Sequence, residues 1–264
     1  MRKTAQWALA FFLLSCASSH KTGNLSFVTL DEEMTLGREI AIQTPNILRI
    51  IRNQEIGVFF NQLVKEVAAK SDWSGLGYTV YVVNDSAVNH FSLPGGEIYL
   101  TRGLVESAAT AGELAGILSH EIAHIGRRDA VSRLATKYSY AFAAQSVIGQ
   151  NPELAIQILQ NLNNQATILD YPAKAEYLAD ALAIKYMWKA NYDPNELLKL
   201  VHKVHDLEKS SRHLVQALRQ THPSSADRLQ RIRRELASTP NHEALRQDVT
   251  DFKDIREQLM RIPR

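Results

Sequence analysis

One cysteine, Cys16, is all that 264 residues contain. No disulfide can close within the chain, so a folded core must be held by packing or by a bound ion. Charge of one sign is not in excess either. Setting Arg2 and Lys3 aside from the 30 basic residues leaves 28, against 28 acidic ones, and that balance has no nucleic-acid footprint, so no nucleic-acid partner is expected. Internal repeats are missing, which excludes a helical-repeat array. Long apolar runs are missing too. Tyr138 to Leu169 carries one charged residue, Glu153, yet is dotted with Gln, Asn and Ser. Neither half reaches the ~20 apolar residues of a membrane span, so it reads as two helices meeting near Gly149 and Pro152, which either bury against the core or skim a membrane or grip substrate.

What is present describes an ordinary globular chain, 45% hydrophobic and 22% charged, of a length that suits one substantial core. Arg2 and Lys3 precede an uncharged stretch from Thr4 to Leu14, so residues 1–15 read as a secretory signal peptide. Leu13-Leu14-Ser15-Cys16 resembles a bacterial lipoprotein box. That resemblance implies lipidation on Cys16, a membrane anchor, and a tether over residues 16–28. Ser18 stands where an aspartate would retain a lipoprotein at the inner membrane, so the expectation is a periplasm-facing envelope protein, at the outer membrane in a two-membrane cell.

A main domain is expected over residues 29–237, with an amphipathic helical extension over 238–264 carrying Val249, Phe252, Ile255 and Leu259. Thr29-x-x-Glu32 offers a helix start. Ile56, Phe59, Phe60, Leu63, Val64 and Val67 predict a core-facing helix over Glu55 to Lys70. The β-branched and aromatic run Tyr78–Val83 predicts a strand. Phe91 to Gly96 leads through a bend into a second strand, Glu97–Thr101, giving a hairpin or small sheet. Further helices are expected over Ala175–Ala190, Glu196–Lys209 and Ser224–Ala237, so the fold class is α+β and mainly helical.

The segment His120-Glu121-Ile122-Ala123-His124 carries the chemistry. Thr110-x-x-Glu113 opens the run before it as a capping box, and Leu114, Ile117, Leu118, Ile122 and Ile125 recur at helical spacing. On that buried helix His120 and His124 project one turn apart from one face and can share a cation. Glu121 sits about 100° round the helix, beside the metal, where it can take a proton from water. Two histidines hold zinc poorly, and a catalytic site has three protein ligands and an open position. Glu176-x-x-x-Asp180 puts two carboxylates on one helical face. Alone the string suits a solvated face; beside the histidine pair it offers Glu176 as the third ligand, with Asp180 accepting the outer N–H of a ligand histidine.

With these blocks the chain resembles the gluzincin zinc peptidases that include the HtpX heat-shock proteases, the CaaX prenyl endopeptidases and the periplasmic BepA-type proteases. Leu36-Gly-Arg-Glu39, Asn89 to Gly103, the His120 helix, Glu176 to Pro194 and His222-Pro-Ser-Ser-Ala-Asp-Arg228 carry the resemblance, in that order. It implies a gluzincin-type domain with a small sheet ahead of the metal helix, one Zn²⁺ per chain on His120, His124 and Glu176, and Glu121 as general base. It implies that His222 and Arg228 lie over the active site, His222 either stabilising an oxyanion or closing the metal's fourth position. It further implies that Ile98, Tyr99, Leu100 and Thr101 form an edge strand on which an extended peptide lies. Prenyl and heat-shock relatives have transmembrane helices; this chain shows none after its signal.

The expected activity is a zinc-dependent metalloendopeptidase acting on unfolded or misassembled envelope polypeptides, a quality-control role. A second expectation is a chaperone-like or scaffold lipoprotein whose zinc site stays latent. Retention of Glu121 favours the enzyme, since a binding module needs no base beside its metal.

Overall fold

The computed structural model describes residues 29–138, 153, 156–158, 160, 170–223, 226–240, 245–249 and 251–264. Cys16, the expected signal and tether, and nearly all of the 138–169 region lie outside the described residues.

Helix α1 (Leu30–Ile47) begins on a capping box, Thr29 and Glu32 each accepting from the other's backbone amide. Asn53 caps α2 (Gln54–Ala68), which buries Ile56, Phe60, Leu63, Val64 and Val67. Three strands follow: β1 (Thr79–Val83), β2 (His90–Leu93) and β3 (Glu97–Thr101), in the order β1-β3-β2. β3 runs parallel to β1, Thr79 opposite Glu97, and antiparallel to β2, His90 opposite Leu100. The β2–β3 turn uses Gly95 and Gly96 at φ 90° and 98°, a region open to glycine. At Gly37 the turn meets α1 so closely that a Cβ would stand 2.1 Å from the Pro94 carbonyl oxygen.

This topology overturns the edge-strand expectation for Ile98, Tyr99, Leu100 and Thr101. Their strand is paired on both sides and all four residues are buried, so no backbone edge is left for a peptide. Strand β2 escaped notice because all four of its residues are buried, which removes the alternation that marks a half-exposed strand.

After the short α3 (Arg102–Ser107) comes α4 (Ala111–Gly126), every residue of which is buried. It is the axis of the molecule, packed against α2, β2, α6 (Ala173–Lys189) and α7 (Asn195–Ser210). Burial of Leu114, Ile117, Leu118 and Ile122 is worth about 1.5–3 kcal/mol each. Small residues let neighbours close in: a Cβ on Gly116 would meet Leu197 at 3.0 Å, and one on Gly126 would overlap the Trp73 ring. The capping box expected at Thr110 forms only halfway. Thr110 accepts from the Glu113 amide, but the Glu113 carboxylate turns to the Ala109 amide and to Lys203.

α5 (Asp129–Tyr138) leaves the metal helix, while a 3₁₀ turn (Arg212–Val215) and α8 (Gln216–Thr221) lead into α9 (Ala226–Ser238). The last helix, α10 (Phe252–Arg261), lays Phe252, Ile255 and Leu259 onto the core and contacts α2 and α3. Among the described residues no helix is long and apolar enough to cross a membrane. The chain is thus mainly helical with one small sheet.

Candidate metal centre

His120 and His124 stand one turn apart on α4 with their Nε2 atoms 3.0 Å from each other. Helix α6 packs along α4 and brings Glu176 to them, Oε1 3.2 Å from His124 Nε2 and Oε2 3.6 Å from His120 Nε2. His222, at the C-terminal end of α8, adds its Nδ1 at 3.0 Å from Glu176 Oε1 and 3.3 Å from His120 Nε2. One donor atom from each of these four buried residues lies within 4.8 Å of all the others. Two donors in a tetrahedral zinc site with bonds of 2.0–2.1 Å are about 3.3 Å apart. Three imidazoles and a carboxylate at these spacings fit a zinc-like cation.

The outer ring nitrogens are held. His120 Nδ1 lies 3.0 Å from Asp180 Oδ1, and His124 Nδ1 lies 2.8 Å from Asp129 Oδ2. A carboxylate on Nδ1 fixes the tautomer that leaves Nε2 as the metal donor. Arg228 closes the arrangement, donating from Nε to Asp180 Oδ2 at 2.7 Å and from Nη2 to Asp180 Oδ1 at 2.9 Å. Its Nη1 is 2.8 Å from Glu176 Oε2.

Glu121 follows His120 but turns aside from the four donors. Its Oε1 lies 2.5 Å from His90 Nδ1 and 3.6 Å from His222 Nε2, whereas its buried Oε2 has no hydrogen-bond partner among the described residues. That oxygen is available to take a proton.

Burial works against every charge here, and the neighbours decide the balance. It would raise the Glu176 and Asp180 carboxyls, but His222 and Arg228 facing Glu176, and Arg228 and His120 facing Asp180, hold both below the usual range. Glu121 is likewise held low by His222 and His90 against its burial. Burial lowers His90 to about 4, so that ring is neutral at working pH. At His124 burial is outweighed by Asp129 and Glu176, which lift it to about 9. A ligating imidazole must offer a lone pair, so a cation bound here displaces that proton.

The structure brings His120, His124, Glu176, Asp180, Glu121, His222 and Arg228 into one buried cluster. It does not bring Ile98–Thr101 there as an open edge, and Cys16 is outside the described residues. Three neighbours were not foreseen. His90 comes from β2, Asp129 lies just past the helix where no helical periodicity reaches, and Tyr171 stacks on His124 with ring centroids 4.1 Å apart. Only the position of His90 beside Phe91, inside a block already singled out, was a signal.

A family model described as peptidase family M48 matches residues 59–236. The mitochondrial metalloendopeptidase OMA1 of Schizosaccharomyces pombe is 28% identical over 179 residues, 66% of this chain and 51% of that protein. The beta-barrel assembly-enhancing protease of Yersinia pestis is 25% identical over 192 residues, covering 68% of this chain and 39% of the relative. The Arabidopsis thaliana OMA1 is 30% identical over 132 residues, 49% of this chain and 26% of its own. The chain therefore spans about half, or less, of the length of these relatives.

Proposed function

The chain belongs to peptidase family M48, a family of metallopeptidases, and from that premise we propose that it is a zinc-dependent endopeptidase of the bacterial cell envelope. The observation that carries the reading is Glu121 standing beside a converged His120, His124 and Glu176 while leaving one carboxylate oxygen free. A structural metal site has no use for such a base.

His120, His124 and Glu176 would hold the zinc, which when bound would supply Lewis acidity toward water and the scissile carbonyl. Glu121 Oε2 takes the proton of the attacking water and later gives it to the leaving amine. Asp180 and Asp129 keep the two histidines aimed, and Arg228 keeps Asp180 and Glu176 ionised and in place.

In this reading His222 is a latch. A catalytic site keeps one position open, and the Nδ1 of His222, 3.0 Å from Glu176 Oε1 and 3.3 Å from His120 Nε2, would be the fourth donor that closes it. Opening requires that imidazole to swing away, and a protease facing unfolded chains benefits from such a brake. Unfolded or misassembled envelope polypeptides are the proposed substrates, supported by relatives named as beta-barrel assembly-enhancing proteases. Cys16, as a lipidated residue, would hold the enzyme on the membrane facing the periplasm; membrane fractionation of Cys16→Ala tests this, and a mutant that stays in the membrane after a salt wash refutes the anchor.

The activity is tested by incubating the full chain in detergent with casein, with and without chelator. Chelator-sensitive cleavage supports a metallo-endopeptidase, and cleavage indifferent to the chelator overturns it.

A further inference from the structure

We propose that His90 is the positioning residue of the base: by donating its Nδ1–H to Oε1 of Glu121 it anchors one carboxylate oxygen and leaves Oε2 to carry the proton. The inference rests on the peptidase reading of the site.

The His90–Glu121 contact is 2.5 Å long, with His90 2% exposed and Glu121 fully buried. Strand β2 delivers the ring. It pairs with β3 at His90 opposite Leu100 and packs on α4, so the side chain reaches across to the metal helix. The His90 amide is further tied to Asn89 Oδ1 at 2.9 Å. The ring has little freedom, its centroid lying 4.5 Å from that of His222 and, edge-on, 5.9 Å from that of His120.

His90, Glu121 and His222 also offer three donor atoms close enough to hold an ion. The 2.5 Å separation decides against that, because two donors on one tetrahedral zinc stand about 3.3 Å apart, whereas a charge-assisted hydrogen bond to a carboxylate is short. A carboxylate oxygen can only accept, so this bond assigns an N–H to Nδ1 of His90.

The chemistry balances without moving a proton to or from His90. Water loses its proton to Glu121 Oε2, the hydroxide oxygen bonds to the carbonyl carbon, the C–N bond breaks, and the proton passes from Oε2 to the amine. His90 holds Oε1 throughout. Without the donor, the carboxylate of Glu121 can rotate on a helix where nothing else among the described residues hydrogen-bonds its oxygens.

Two measurements on the full chain in detergent test this, each with His90→Phe, which keeps a flat ring and loses the donor, and His90→Asn, whose amide nitrogen falls near the position of Nδ1. In the first, ¹⁵N-histidine NMR should show a far-downfield Nδ1–H signal that disappears in His90→Phe and shifts in Glu121→Gln. An Nε2-protonated His90, or a signal unmoved by Glu121→Gln, overturns the proposal whether or not the protein cuts. In the second, casein turnover at equal metal content should give kcat about 10- to 100-fold lower for His90→Phe with KM within twofold, and His90→Asn should recover most of it. Wild-type kcat in His90→Phe, or no rescue by His90→Asn, overturns the positioning role alone. A wild type with no chelator-sensitive cleavage overturns the peptidase reading and this role with it.

Discussion

Arg228 grips Asp180 with two nitrogens at 2.7 and 2.9 Å, and its third nitrogen lies 2.8 Å from Oε2 of Glu176. One guanidinium on α9 thus ties a candidate ligand to the partner of another candidate ligand, both on α6. Expected over the active site, Arg228 is engaged with the carboxylates that hold it.

Arg228→Met should therefore lower metal affinity about 10- to 100-fold, and leaving Asp180 and Glu176 without their buried partner should cost about 3–5 kcal/mol of stability. Arg228→Lys should recover only part, since an ammonium cannot present the fork. Metal titration and urea unfolding of both variants check this; wild-type affinity in Arg228→Met would show that the clamp is dispensable.

Glu121→Gln and Glu176→Ala should separate base from ligand. The first keeps shape and metal content but loses casein turnover. The second loses metal, whereas Asp180→Ala weakens binding more mildly by freeing the His120 ring. Full zinc in purified Glu176→Ala, measured by elemental analysis, would send the search for the third ligand elsewhere.

For His222→Ala the latch reading expects basal cleavage or self-cleavage to rise at equal zinc content. Loss of an oxyanion donor would instead lower turnover by ~10²–10³. Casein assays beside wild type distinguish the two signs.

A pH effect is expected away from the metal. Burial pushes the Glu97 carboxyl up to about 7, although Tyr99 donates its hydroxyl to it at 2.8 Å. Between its ordinary value near 4.5 and 7 the folded chain binds the extra proton, so this group's contribution to stability is present below 4.5 and is lost as pH rises through 7. Glu97→Gln should remove that loss, raising Tm relative to wild type more at pH 8 than at pH 5. An equal shift at both pH values would mean that Glu97 titrates normally.

Much of this architecture was readable in one dimension where local rules and tertiary demand agree. Thr29 with Glu32 caps α1 as the spacing predicts, and α4 shows both its start signal and its apolar rhythm. Thr110 and Glu113 show where such rules fail: Lys203, distant in sequence, draws the Glu113 carboxylate out of the reciprocal cap. Tertiary contacts also explain the misreading of Ile98–Thr101. Nothing in those residues says that β2 will pair on their other side, and a strand buried along its whole length lacks alternation to announce it. The histidine pair was visible because one helix turn relates its members. His90 reaches the site by folding alone, from a strand whose own spacing holds no record of the helix it meets, whereas Asp129 is local and is set by the turn that ends α4.

The four inward donors come from three segments, His120 and His124 on α4, Glu176 on α6 and His222 after α8. A cation on them would act as a reversible cross-link, closing two long loops in a chain whose lone cysteine cannot close any. Swinging His222 out would undo the second of those closures. With α7 still packed on α4 and Arg228 still joining α9 to α6, the release is local to α8, so activation and susceptibility of α8 to nicking should rise together.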